Sequence, residues 1–425
     1  MRTFSIRNFG CRVNQAEAFE WAEALEKGGL RFEDDWSRSD LVLVNSCSLT
    51  SRADRDVRKF IQKAGRENPG AGMIITGCYA QRAREEFEGM AQVLLVVPNR
   101  EKRDLPSKVL SLVGIAGRTA AERTGGAREA GVSFRSRALL KVQDGCDNGC
   151  AFCIIPSLRG RSVSVPTDEV LSRARDLVEG GFREIVLAGI HLSSYGKDQK
   201  PEGSLLGLLR EIGKIEGLGR VRLSSLDPRR TDAALAAHIG GNPKICQHFH
   251  LSLQHASPRV LKAMGRPVEP GLYPGLLEEL RRRSPEAALG ADIIVGFPGE
   301  TDEDFGELER FLAASPLTYF HVFPYSPRPG TRVAERPGVP GKIVWERARA
   351  LRRFSAEKNR RFRQSLGGRT LEGVVVRKED GRDEVLTENY VKIFAPRSEA
   401  ARREAVRVRV GRVLPRSTEG EVLRP

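Results

Sequence analysis

No stretch of this 425-residue sequence approaches the roughly 18 consecutive apolar residues of a membrane-spanning helix. Its start, MRTFSIRNFG, also lacks the apolar core of about 7–15 residues that marks a secretory leader. Both absences make the cytoplasm the expected compartment and leave no membrane partner to account for. Cysteine is scarce, at seven residues, and an odd count in an intracellular chain argues against a disulfide framework. No internal repeat or low-complexity tract is present to suggest a solenoid or a disordered tail. What remains is 40% hydrophobic, ample for two or three domains with cores of their own.

The few cysteines are not scattered. Cys146, Cys150 and Cys153 fall within eight residues as C-x3-C-x2-C, at the end of an apolar-basic strand expected over Ala138 to Val142. Three soft thiolates crowded together suit an iron-sulfur cluster. A four-iron cluster so held keeps one iron open to a small molecule, and that iron is the expected reactive centre. Structural zinc is the alternative, but such sites close with four ligands from two knuckles. No histidine or second C-x2-C follows within reach. Cys246 stands alone and reads as a small half-buried hydrophobe.

Residues 1–113 alternate short apolar runs with amphipathic stretches, the pattern of an open parallel sheet covered by helices. Strands are expected over Thr3 to Phe9, Leu41 to Asn45, Met73 to Thr76 and Val93 to Val97, with helices at 15–27, 51–67 and 80–88. Cys11, Cys47 and Cys78 each follow a strand's carboxyl end, the ligand edge of such a sheet, so residues about 30 apart converge into a second three-cysteine cluster. Residues 114–137, rich in Gly, Ala and Arg, read as a linker. From 138 to 366 six strands, ending near 142, 189, 225, 253, 296 and 325, alternate with longer helices. That is a partial (β/α)6 barrel, with chemistry expected at its carboxyl-end mouth. His248 and His250 share a strand face without a carboxylate or cysteine near them in sequence, and read as structural or pocket-lining. Glu300, Asp302, Glu303 and Asp304 suit a helix start rather than catalysis.

The formal net charge of +15 points to a polyanionic partner. Between Lys342 and Leu366 nine Lys or Arg face only Glu346 and Glu357, which predicts a helix with a basic stripe. Its docked face is expected to carry Val344, Trp345, Ala348, Leu351, Phe354 and Ala356. Residues 367–425 read as strands 370–377, 385–394 and 405–413, a small OB-like all-β barrel. Arg407, Arg409 and Arg412 with Tyr390 and Phe394 compose its expected RNA-gripping surface.

The motifs GCRVNQAE, VNSC, TGCYAQ, GCDNGCAFCIIPSLRG, GIHLSSYG, RLSSLDP, IIVGFPGET and HVFPYSPRPGT together resemble the radical S-adenosylmethionine (SAM) methylthiotransferases over essentially the full length. GCRVNQAE, GIHLSSYG and HVFPYSPRPGT are most similar to the branch that methylthiolates threonylcarbamoyladenosine in tRNA. PSLR (156–159) and LQHAS (253–257) are closer to the branch acting on an aspartate of a ribosomal protein. The resemblance implies an α/β chain ending in a TRAM barrel, with two 4Fe-4S clusters and SAM as cofactors. It places one cluster on Cys146, Cys150 and Cys153, where SAM would be cleaved, and a sulfur-handling cluster on Cys11, Cys47 and Cys78. Phe152, Gly189, Ser224 and Gln254 are the expected SAM pocket. tRNA is the implied partner, together with an electron donor and a sulfur source that the motifs do not identify. Methylthiolation of isopentenyladenosine or of the ribosomal-protein aspartate are the competing activities; a non-catalytic iron-sulfur carrier or RNA-binding protein is the alternative of another class.

Overall fold

A computed structural model describes residues 2–114, 136–200 and 203–423. The expected linker, apart from Gly114, Ser136 and Arg137, lies outside the described residues.

Five parallel strands open the chain: β1 (Thr3–Asn8), β2 (Arg31–Phe32), β3 (Leu41–Ser46), β4 (Gly72–Gly77) and β5 (Val93–Val97), in spatial order β2-β1-β3-β4-β5. The sheet is the expected one, with β2 an addition too short to leave a periodic signal. β3 is buried on both faces, as a central parallel strand covered by helices must be. The helix expected at 80–88 is instead two short helices, Cys78–Arg82 and Glu85–Glu88, the first starting on the cysteine itself.

The second unit carries six parallel strands: β6 (Ala138–Asp144), β8 (Glu184–Gly189), β9 (Arg220–Leu223), β10 (His248–Gln254), β11 (Ala288–Val295) and β12 (Tyr319–Pro324). A short antiparallel strand, β7 (Val163–Ser164), edges β6. The ladder runs β7-β6-β8-β9 and then β10-β11-β12, with the β9 and β10 segments joined, among the described residues, only by the bridges Val221 to Ile245 and Leu226 to Leu251. The barrel is therefore partial, and the helix Arg12–Lys27 of the first unit lies against β6 and β8. Its Val13 and Ala16 pack on Leu139, Val186 and Ala188. Phe19, Trp21 and Leu25 are also fully buried, each contributing about 1.5–3 kcal/mol by leaving water. The start of the amino-terminal helix is thereby held against the barrel.

The helix Gly341–Ser365 follows, docked on β12 through Ala348 and Leu351. Trp345, 57% exposed, and Ala356 face solvent rather than the core as expected, because the helix's inward register is taken by Arg347 and Arg363. Arg347 is buried against Glu300 (2.5 Å), and Arg363 donates to the carbonyls of Leu414, Pro415 and Ser417.

The last unit is a closed barrel of β13 (Thr370–Glu379), β14 (Arg382–Thr387), β15 (Lys392–Pro396), β16 (Ala405–Val413) and β17 (Thr418–Leu423), ordered β13-β14-β15-β17-β16. The single strand expected over 385–394 is broken into β14 and β15. Asn389 receives a hydrogen bond from Thr387 Oγ1 at 2.6 Å, and Tyr390 takes a left-handed φ of 65°, so the chain turns there. That turn inserts at the barrel's base: Arg222 donates to the carbonyls of Thr387 (3.1 Å) and Glu388 (3.0 Å), and Tyr390 stacks on His248 with ring centroids 4.3 Å apart. Tyr390 accordingly belongs to the interior, not to the exposed face carrying Arg407, Arg409 and Arg412.

Candidate active site between two cysteine loops

All seven cysteines are free thiols. The loop after β6 carries Cys146, Cys150 and Cys153. It is set by Gly145 at φ 69°, where a Cβ would meet the Arg161 carbonyl oxygen at 1.9 Å. Asn148 N–H points at Cys146 Sγ (3.4 Å), and Arg266 Nη1 at Cys150 Sγ (3.6 Å). Burial pushes the Cys153 thiol up to about 12, with neighbouring Cys150 and Cys146 adding to the shift.

The second group forms at the carboxyl ends of β1, β3 and β4, as the topology required. Cys11 caps the helix Arg12–Lys27, Cys47 follows β3, and Cys78 opens its short helix after Gly77, whose φ of 100° and closeness to Ser46 admit no side chain. Burial pushes the Cys47 thiol up to about 12, and Cys78 and Cys11 both lie near enough to raise it further. Asn99 Nδ2 points at Cys78 Sγ from 3.9 Å. Among the described residues no three Cys, His, Asp or Glu side chains converge tightly enough for a single metal ion. Each group is three thiols, Cys47 and Cys78 buried and the other four half-buried, with N–H donors aimed at sulfur and, among the described residues, no tight fourth Cys, His, Asp or Glu. That donor set suits a sulfur-bridged iron cluster, whose iron charge would favour the thiolates that burial disfavours.

A buried charge network binds the two loops together. Arg159, at the end of the first loop, reaches Glu17 (3.1 Å), Asp144 (2.8 Å) and Asn14 Oδ1 (2.7 Å). Glu17 also takes Lys102 at 2.6 Å and Lys141 at 3.5 Å. Burial alone would raise the Glu17 carboxyl, but Arg159, Lys102 and Lys141 hold it well below the usual carboxylate range. The network gives the surroundings of Cys11 and Cys78 a positive field suited to an anionic cluster.

Between the loops lies a cleft of about 220 Å³. Leu49 and Thr50 line it from the Cys47 loop, Phe152, Cys153 and Ile154 from the other, and Gln254, Asp292, Ile294 and Phe323 from the barrel. Gln254 has a φ of 73° at an irregularity in the β10–β11 register, a strained conformation that aims a side chain at the site. Phe152 and Gln254 thus meet in the cleft. Gly189 and Ser224 sit elsewhere, at the β8 and β9 ends, where Gly189 N–H donates to Ser224 Oγ at 3.3 Å.

His191 and Asp227 end barrel strands at the mouth, as their sequence positions predict, but that they brace the Cys146 loop, and that Arg266 joins them, was missed. Asn148 bonds both His191 (3.3 Å) and Asp227 (3.2 Å), while Arg266 joins Asp227 (3.1 Å) to Cys150. Asp227 is held far below the carboxylate range, against burial, by His191, Arg229 and Arg266. His191 and Asp227 lie inside the motifs GIHLSSYG and RLSSLDP; Arg266 has no such signal.

Residues 140–312 match the Radical SAM superfamily, and residues 3–97 match Uncharacterized protein family UPF0004. The threonylcarbamoyladenosine tRNA methylthiotransferase MtaB of Aquifex aeolicus is 35% identical over 92% of this chain and 95% of its own. The chain belongs to the radical SAM methylthiotransferases. The MtaB of Bacillus subtilis is 30% identical over 100% of this methylthiotransferase and 97% of its own length. The tRNA-2-methylthio-N(6)-dimethylallyladenosine synthase of Paracoccus denitrificans is 34% identical over 98% and 96%. The radical SAM methyltransferase TsrM of Kitasatospora setae, solved with cobalamin and a [4Fe-4S] cluster, superposes with a TM-score of 0.55 at 16% identity. It covers 78% of the methylthiotransferase and 77% of its own chain, a likeness of fold. No helix among the described residues is long and apolar enough to cross a membrane.

Proposed function

We propose that this methylthiotransferase replaces the hydrogen on carbon 2 of N6-threonylcarbamoyladenosine, next to the anticodon of tRNA, with a methylthio group. The cleft carries the proposal, since Cys153 lines it from one cysteine loop while Leu49 and Thr50, just after Cys47, line it from the other. Cys146, Cys150 and Cys153 would hold the 4Fe-4S cluster that binds SAM, and Cys11, Cys47 and Cys78 the one that handles sulfur. When bound, the cluster and SAM supply one-electron chemistry able to remove a hydrogen that is neither acidic nor a leaving group.

The protein's own share is positioning. Arg266 and Asn148 fix the sulfurs of the first loop through Asp227, and Arg159 fixes that loop against the helix that follows Cys11. Phe152, Leu49 and Phe323 give the cleft apolar walls, Leu49 and Phe323 each 43% exposed and so open to be covered by a bound base. Phe152 and Gln254 would contact SAM; Gly189 and Ser224 would act from the neighbouring strand ends. We place the activity in the cytoplasm and divide the chain into 1–113 for the sulfur cluster, 138–366 for radical chemistry and 367–425 for RNA. An electron donor and a sulfur source must dock from outside. Mass spectrometry of tRNA nucleosides from cells with and without the gene tests the reading. The methylthio form of threonylcarbamoyladenosine should vanish on deletion; loss of methylthio-isopentenyladenosine instead would reassign the substrate.

A further inference from the structure

Beneath the cleft the barrel interior is polar, which a barrel filled only for stability is not. Asp292, which lines the cleft, pairs in register with His321, and His250 Nε2 lies 3.6 Å from Asp292 Oδ1. The His250 and His321 rings are 5.3 Å apart. Ser225 Oγ contacts His250 Nδ1 at 3.0 Å, but His250 Nε2 is buried with no hydrogen-bond partner. One level lower, Tyr319 crosses Gly290, where a Cβ would meet its ring at 2.3 Å, and touches His248 at 2.7 Å.

Arg12 reaches this interior from the amino-terminal helix. Its guanidinium donates to the Tyr390 hydroxyl and sits 5.7 Å from that ring. Among the described residues no carboxylate lies within ion-pair distance of Arg12. Burial first, and the Arg12 charge second, push His250 down to about 4, so it is a neutral ring at pH 7. The layer thus offers a carboxylate acceptor, two imidazoles and a cation lacking an anion. An apolar group placed here would cover Asp292, His321 and the Arg12 charge without pairing them and would leave His250 Nε2 unsatisfied. A substituent carrying N–H donors and a carboxylate would satisfy them.

We propose that Asp292, His250 and His321, with Arg12 behind them, form the subsite for the N6 substituent of the target adenosine, and that it selects a substituent with urea N–H donors and a carboxylate. This rests on the functional reading above, in which carbon 2 faces the cysteine loops; the substituent on carbon 6 then extends away from them, into the barrel. Asp292 accepts from the urea N–H groups, and Arg12 receives the carboxylate. These are specificity residues, separate from the groups that hold the clusters.

The test uses reconstituted full-length enzyme and anticodon stem-loop RNAs bearing threonylcarbamoyladenosine, the same base with its carboxylate amidated, or isopentenyladenosine. The wild type should prefer the first by at least about tenfold in kcat/KM. Arg12→Leu, checked for full iron content, should bring the carboxylate and amide forms to within about twofold of each other, and Arg12→Lys should restore part of the gap. Asp292→Asn, remote from any cysteine in sequence, should raise KM for both urea-containing RNAs by a larger factor than for the isopentenyl RNA. The inference is overturned if the wild type takes isopentenyl and threonylcarbamoyl RNAs equally, or if iron-replete Arg12→Leu and Asp292→Asn both keep wild-type preferences. No methylthio product on any RNA would sink the functional reading itself.

Discussion

Arg328 donates to Asp54 across 2.6 Å, although 274 residues of chain separate them. Both are nearly buried, and the same guanidinium reaches Ser48 at 2.8 Å and Ser51 at 3.2 Å. The loop after β12 is thereby tied to the segment that follows Cys47. Arg328→Ala should leave Asp54 without one of its two cations, Arg82 being the other, at a cost of about 1.5–3 kcal/mol. Arg328→Lys should not repair it, because an ammonium cannot fork between Asp54 and two serines. Thermal unfolding should register the loss. The ratio of methylthio product to SAM cleaved should also fall, as the two cysteine loops lose their mutual placement.

Anaerobically reconstituted enzyme should carry about eight irons in two clusters of four, and Cys146, Cys150 and Cys153 replaced together by Ala should leave about four. With Cys146 replaced, reductive cleavage of SAM should disappear. With Cys47 or Cys78 replaced, cleavage should survive and methylthio product should not. Zinc in place of iron, or loss of cleavage in both sets, would refute the division.

Arg352, Arg353, Arg360 and Arg361 all face solvent on the helix Gly341–Ser365. Reversing the four to Glu should weaken tRNA binding and flatten its salt dependence, the log-log slope changing by roughly 0.7–0.9 for each phosphate no longer neutralised. Filter binding across a salt series measures both. Cleavage of SAM without RNA should persist, because the helix packs on β11, β12 and β16 and the four arginines face solvent. Unchanged affinity and slope would remove this helix from the RNA interface.

Glu184 lies buried among Arg222 (2.8 Å), Arg220 (3.0 Å) and Arg137 (3.4 Å). Burial raises its carboxyl, but the arginines overcome this and bring it from the ordinary 4.5 down to about 2. A depressed carboxyl stabilises the fold fully above the unfolded value and loses that contribution as pH falls through the folded one. Stability should therefore decline by about 3 kcal/mol between pH 4.5 and 2 on account of this group alone. Glu184→Gln should be less stable at pH 7 and show a shallower decline over that window, as calorimetry across pH would report.

The spacing of Cys146, Cys150 and Cys153 is local, so it was readable directly. The convergence of Cys11, Cys47 and Cys78 followed from parallel-strand topology, with no need to know which side chains touch. Arg266 was invisible because its partners Asp227 and Cys150 stand 39 and 116 residues away, and an arginine in a loop carries no periodic signal. Tyr390 was misplaced for a different reason. Alternation along a strand tells in from out only while the strand continues, and the left-handed turn at Tyr390 ends it. Trp345 and Arg347 exchanged their expected places because a buried cation finding Glu300 satisfies the helix's inner face as well as an indole would. For Arg266 and Arg347 the deciding interaction joins segments far apart in the chain.

The turn that brings Tyr390 to His248 also sets an order of events during synthesis. Every strand of the partial barrel leaves the ribosome before Tyr390 does, so the nascent chain presents a barrel whose base is still open. His248, Arg222 and Arg12 meet their aromatic and carbonyl partners only when the final small barrel has folded. Closure of the barrel interior therefore depends on the terminal barrel, and a defect confined to that barrel is inherited by a chamber built almost entirely from residues made before it.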